Sequence, residues 1–211
     1  MPNIFVLVTA LSVVIAVLIM IYTIVNHTVE KTFYLIFFSV VNLFFVFGNF
    51  LEIIAPSLEA AFYGIRVQYM GSPFLLPLIY LFYRDFYGKK RLTWPQHILL
   101  FAIPAVSAVS LQLFPLARLQ YGEIWYSTNG QIASIQHTDG IAYLLGIALN
   151  YVCIVLSLSL ILKSVRNHRG LKRRQSVVLL TGWIFPVAAN VSFIFFGGDN
   201  SYDFTPIAYV T

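Results

Sequence analysis

The chain alternates long apolar runs with short polar breaks. Runs at about 4–25, 32–54, 62–83, 97–114, 141–162 and 177–196 carry few charges. A helix needs about 20 apolar residues to cross the hydrocarbon core, so each run predicts a membrane-spanning helix. A seventh run begins near Thr205 and reaches Thr211 after TPIAYVT, too short to span. The pattern predicts an all-α polytopic bundle: one membrane-embedded domain over 1–211, six complete helices and the start of a seventh, the front part of a longer protein. No basic residue precedes the first run and no small-residue cleavage site follows it, which predicts a retained helix, not a removable signal. Matched, interrupted segments of the kind that mark transporter halves are not found.

The longest break, about 115–140, reads differently. YGEIWYSTNGQIASIQHT holds two short runs around Asn129-Gly130, a common hairpin turn pair. A small β-hairpin is expected there, after an amphipathic stretch, LFPLARLQYGEIWY, that can lie along the surface.

Basic residues set the expected orientation. Lys31, the group Arg84 to Arg91 and the group Lys163 to Arg174 put eleven of the 13 basic residues on one set of loops. Arg66 and Arg118 are alone on the other set. The amino terminus is therefore expected outside, with the seventh helix running inward to the cytoplasm. Glu52, Glu59, Glu123, Asp139, Asp199 and Asp203 fall on the outer side.

Composition agrees with the pattern. The chain is 59% hydrophobic and 10% charged, with a mean hydropathy of +0.82, against about 25% charged in soluble domains. The net charge of +5 lies in short runs between apolar segments, which speaks against nucleic-acid binding. The single cysteine, Cys153, excludes an intrachain disulfide and a cysteine metal cluster, and reads as a small buried residue.

Catalytic signatures are absent: no phosphate-cradling glycine loop, no His-Glu-x-x-His, no Gly-x-Ser-x-Gly. No cofactor, no metal site and no catalytic residue are expected. His27, His97, His137 and His168 are scattered and read as solvated or interfacial. GGDN at 197–200 reads as an external turn, and the Asn26-His27-Thr28 sequon falls on the cytoplasmic side.

The polar residues inside apolar runs carry the functional reading. At about 100° per residue, Asn42, Phe45, Asn49 and Glu52 share one face of the second helix. Polar groups in lipid are costly, so this face should meet other helices or a cavity. The APSLEA turn is short, so Glu52 and Arg66 can sit at similar depth and form an ion pair. That pair either staples the second helix to the third or floors an outward-open pocket. Arg66 shares its face with Tyr69, Met70, Pro73 and Pro77. Two prolines four residues apart should kink the third helix. Gln68 points away and has no expected role. Gly146, Asn150 and Cys153 share a face of the fifth helix, and Gly182, Pro186, Ala189, Asn190 and Phe193 a face of the sixth. Both faces suit close packing, and Pro186 would bend the sixth helix at a place suited to a signal-linked movement. The run KSVRNHRGLKRRQ is a positive anchor that also attracts anionic lipid.

Four stretches, in order, carry a resemblance. They are LEIIAPSLEA, QYMGSPFLLPLIYLFYRDFYGKK, GWIFPVAANVSF and YDFTPIAYVT. Together the chain resembles the N-terminal seven-helix sensory region of histidine kinases and diguanylate cyclases. Where many relatives have a Thr-Asn…His motif after the fourth helix, this chain reads LQLFPLARLQYGEIWY. The resemblance implies an input module, without catalysis of its own, in the cell membrane. It would pass a small-molecule or membrane-state stimulus through the seventh helix to a cytoplasmic output domain, through which it would dimerise. Glu52, Arg66, Tyr69, Gly71, Pro77, Pro186, Asn190, Asp203, Thr205 and Pro206 match family positions. Asp203, Thr205 and Pro206 also suit the capped first turn of a helix. The competing reading is a small transporter or channel-like protein, which would need a continuous polar path.

Overall fold

The computed structural model describes residues 4–26, 33–113, 115–129 and 132–196. Seven helices and one hairpin follow in order. They are α1 (Ile4–Val25), α2 (Phe33–Ile53), α3 (Leu58–Tyr69), α4 (Ser72–Phe86), α5 (Trp94–Gln112), β1 (Tyr121–Asn129), β2 (Ile132–Asp139), α6 (Ile141–Asn167) and α7 (Leu171–Phe196). A 3-10 turn, Leu116–Leu119, joins α5 to β1. The expected seventh helix, with Asp203, Thr205 and Pro206, lies outside the described residues.

Among the described residues, α1, α2, α5 and α6 are long and apolar enough to cross a membrane. Four such helices in one chain mark a multi-pass membrane protein. Packing is inside-out, as lipid requires. On α1 the inward residues are Thr9, Ser12, Ala16 and Thr23, while Leu7, Leu11, Val14 and Leu18 are exposed. Lipid tails are as apolar as leucine, so helices gain by close approach and internal hydrogen bonds. The Thr9 and Ser12 hydroxyls donate to carbonyls four residues back, at 2.9 Å each. Thr23 Oγ1 meets Ser39 Oγ of α2 at 2.9 Å.

The expected third helix, 62–83, is corrected: it is two helices, α3 and α4, broken at Met70-Gly71. Proline lacks an N–H and its ring clashes with the carbonyl four residues back, so α3 cannot run through Pro73. Pro73 instead sits in the first turn of α4, where its missing N–H costs nothing. Of the two expected kinks, Pro73 marks the break, and Pro77 lies buried inside α4. The break draws Gly71 onto α2, where a Cβ would collide with the Val41 carbonyl.

α2 is the centre of the bundle, packed by α1, α3 and α4. It crosses α3 through glycines. A Cβ on Gly48 would overlap the backbone of Gln68, and one on Gly64 would come 2.5 Å from Glu52 N. α6 joins α4 to α7, and α5 lies against α4 and α6. The expected hairpin is present, with Asn129 paired to Ile132 across the turn and Tyr126 to Ile135. It sits on α2 and α3 and marks the hairpin end of the bundle. The opposite, basic end holds Arg84, the Lys89 to Arg91 run and the α6–α7 connection.

Candidate functional site at the hairpin end

Glu52 stands at the last turn of α2, where unpaired carbonyls make an anion unwelcome. It needs donors, and β2 supplies one: Ile135 N–H donates to Glu52 Oε1 at 3.2 Å. Arg66, in the last turn of α3, turns to the opposite kind of partner. Its Nε donates to the Leu111 carbonyl at the end of α5, 3.1 Å away, and its guanidinium lies over Phe62 at 5.0 Å. Gln112 Nε2 returns a bond to the Arg66 carbonyl at 2.9 Å. The expected Glu52–Arg66 ion pair is therefore corrected. Among the described residues the acid–base pair within reach is His137–Asp139, at 3.5 Å, with the imidazole charged only when protonated. A guanidinium at a helix C-terminus satisfies orphan carbonyls, and a sheet-edge N–H satisfies a carboxylate. Each charge has a better local partner than the other.

Tyr69 is the last residue of α3, immediately before the break. Its hydroxyl accepts from Tyr121 at 2.8 Å and from Gln120 Nε2 at 3.1 Å. Gln120 and Tyr121 are both buried, at 2% and 4% exposure. Tyr121 stacks on His137, with ring centroids 3.8 Å apart, and Tyr143 of α6 meets His137 edge-on at 5.2 Å. Tyr126 donates to the Ala55 carbonyl just beyond α2 at 2.9 Å. The arrangement is a buried polar and aromatic joint, with the hairpin as its lid and α2, α3 and α6 as its walls.

Burial, joined by the nearby hydroxyl of Tyr69 and the charge of Glu52, holds the Tyr121 hydroxyl well above its usual range, so it stays a proton donor. Burial pushes the His137 imidazole below its ordinary 6.5, with Asp139 opposing in part. Above 6.5 the ring is neutral whether folded or unfolded, and its contribution to stability is complete. As pH falls below 6.5 the unfolded chain takes up the proton first, so docking weakens until the lowered folded value is reached. Hydrogen-exchange protection of the β2 amides, corrected for the intrinsic pH dependence of exchange, should therefore fall between pH 7 and 5 in the native protein. In His137→Phe it should not; an equal pH response in both would refute this role.

Asn42, Phe45 and Asn49 are buried, as the shared α2 face predicts, and Glu52 is half-buried above them. Asn49 is 6% exposed, and its Oδ1 has no hydrogen bond among the described residues. Pro186 lies inside α7, and Asn190 lies on the same helix.

Sequence reasoning missed Gln120, Tyr121, His137 and Tyr143, and read His137 only as one of four solvated or interfacial histidines. One signal was available. In the observed register Tyr121 faces Asp139, so His137 is its diagonal cross-strand neighbour, within reach of an aromatic ring.

At the basic end a second polar net ties α7 to the bundle. Trp183 Nε1 donates to Tyr83 OH at 2.8 Å, and Tyr87 OH donates to Ser176 Oγ at 3.0 Å. Ser176 Oγ in turn lies 2.9 Å from Ser164 Oγ of α6. Tyr83 and Tyr87 belong to α4 and its cap, so α4 runs from the break beside Tyr69 to the contacts that hold α7.

Residues 8–211 match the family described as the N-terminal 7TM region of histidine kinase. The match spans nearly the whole chain, and the chain belongs to this family. Curated proteins and solved structures gave no match.

Proposed function

We propose that this member of the histidine kinase 7TM family reads its stimulus at the hairpin end and passes it along α4 to α7. The observation that carries this reading is the position of Tyr69: hydrogen-bonded to the hairpin and one residue from the Met70-Gly71 break. A shift of the hairpin would move the end of α3. Because α3 and α4 are separate helices, that shift becomes a change of angle at Gly71 and not a uniform slide. α4 would then press on α7 through Tyr83 and Tyr87.

In this reading the hairpin end faces outside and the basic end the cytoplasm, in the cell membrane. The seventh helix would lead to a histidine kinase or a diguanylate cyclase module that acts as a dimer. Among the described residues the polar nets that join several helices lie at the hairpin end and the basic end, which supports a sensor over a transporter. A stimulus acts by binding one arrangement better than the other, and typical couplings are about 5- to 150-fold.

The test uses the full-length protein in vesicles. Glu52→Gln keeps an acceptor for Ile135 N–H but removes the charge. Output activity should shift about fivefold or more while the fold is retained. Pro186→Ala should weaken the response at the other end of the path. Unchanged output in both, with intact folding, would sink the proposal.

A further inference from the structure

A hollow of about 210 Å³ opens on the side of the bundle between α5 and α6. Its walls include Ala102 and Val106 of α5, and Ile141, Ala142 and Leu145 of α6. Leu119, from the 3-10 turn, closes the top. Every lining side chain is aliphatic. The small residues Ala102 and Ala142 leave the space, and exposed neighbours (Val106 at 52%, Leu145 at 50%) open it sideways.

Two facts decide what such a hollow holds. Ordered water needs two to four polar partners, and this lining offers no polar side chain. Both walls belong to helices long and apolar enough to cross a membrane, so the opening faces lipid chains. Two charges stand near the head of the hollow: Arg118, exposed and next to Leu119 on the same turn, and Asp139, two residues before Ile141 and 3.5 Å from His137 Nδ1. Among the described residues outside the basic end, the Lys and Arg side chains are Arg66 and Arg118. Arg66 is committed to the Leu111 carbonyl.

We infer that this hollow is a lipid site that takes one acyl chain of an anionic bilayer lipid, with Arg118 beside its headgroup. The site abuts the joint described above. The turn that roofs it continues directly into Gln120 and Tyr121, which bond Tyr69. A chain seated under Leu119 would hold that turn, and with it the hairpin, in place. The signalling consequence rests on the reading of the hairpin end as the input; the binding site itself does not.

The experiment uses the full chain in phosphatidylcholine vesicles with a minor fraction of phosphatidylglycerol carrying a photoactivatable acyl chain. Labelled positions are read by peptide mass spectrometry. Labels should concentrate on the α5 and α6 positions that line the hollow. Val106→Trp, at an exposed wall, should fill it and abolish that labelling, while Val155→Trp, on an exposed face of α6 away from the hollow, should not. Arg118→Gln should reduce labelling by phosphatidylglycerol about fivefold, the weight of one basic residue near an anionic surface, and leave phosphatidylcholine labelling unchanged. Even labelling over all exposed helix faces, insensitive to Val106→Trp, would overturn the inference. So would a hollow protected from label while other faces react, since the chain itself or a second copy would then cover it. If the hollow is labelled but full-length output ignores phosphatidylglycerol, the site stands and its signalling consequence fails, while the Glu52→Gln and Pro186→Ala test separately decides the reading of the hairpin end.

Discussion

Gly48→Ala should destabilise the protein by about 3 kcal/mol or more, the upper range for overpacking, because backbone atoms are what the new methyl would meet. A flexible side chain could swing aside; the Gln68 backbone on α3 cannot, except by parting the two helices. Gly64→Ala should act alike, since its Cβ would press on the Glu52 amide from the other side of the same crossing. The two substitutions strain one interface, so the double variant should cost less than the sum. Gly146→Ala is the control: its nearest neighbour, Ser107 Oγ, would be 3.7 Å away, an ordinary contact. Thermal unfolding in detergent should show a large loss for Gly48→Ala and Gly64→Ala and almost none for Gly146→Ala. Three equal curves would mean that α2 and α3 do not cross this closely. The same crossing sets the relation of Glu52 to Tyr69, so a variant that survives should also show a loosened hairpin.

Tyr69→Phe should be the most damaging single-atom change at the hairpin end. Two buried donors, Tyr121 O–H and Gln120 Nε2, lose their shared acceptor. A buried polar group left unsatisfied costs about 1–3 kcal/mol. Tyr121→Phe removes one donor and leaves Tyr69 bonded to Gln120, so it should cost about 1 kcal/mol, near an average hydrogen bond. Tyr126→Phe, which loses the bond to the Ala55 carbonyl at a separate anchor, should add to either one independently. The readout is hydrogen exchange at the hairpin amides together with the global unfolding midpoint. Fast exchange in Tyr69→Phe with a small change in midpoint would show local undocking of the hairpin. Tyr69→Phe and Tyr121→Phe giving the same exchange rates would refute the shared-acceptor arrangement.

Much of the architecture is legible in the order of apolar and polar residues. Transfer into lipid is close to a sum over a run of residues, so hydropathy alone places the helices now seen at Ile4–Val25, Phe33–Ile53 and Trp94–Gln112 within a few positions. α6 and α7 start or end beyond their apolar runs, because a helix can continue past the hydrocarbon when its basic residues are solvated. The hairpin is legible for a similarly local reason: Asn129-Gly130 suits a tight turn, and the flanking runs suit strands.

The site was legible in part. Glu52 and Tyr69 stand out from sequence because a polar group on an apolar helix is expensive and must meet something. What each one meets depends on geometry that no local pattern encodes. Glu52 and Arg66 attract one another on paper, yet the end of α5 comes close enough to take Arg66, and an N–H of β2 reaches Glu52. His137 reads as one of four scattered histidines until β2 folds back and lays it on Tyr121.

By itself, then, the sequence determined that this is a multi-pass membrane protein, where four of its long apolar helices lie, and where a hairpin interrupts them. These follow from sums and turns over neighbouring residues. Only the tertiary structure decided that α2 and α3 touch backbone to backbone at Gly48 and Gly64, that the third run breaks at Met70-Gly71, and that Gln120, Tyr121 and His137 gather around Tyr69. The physical reason is that partner choice among buried polar groups is settled by which helices approach closely, and that approach is a property of the packed bundle as a whole.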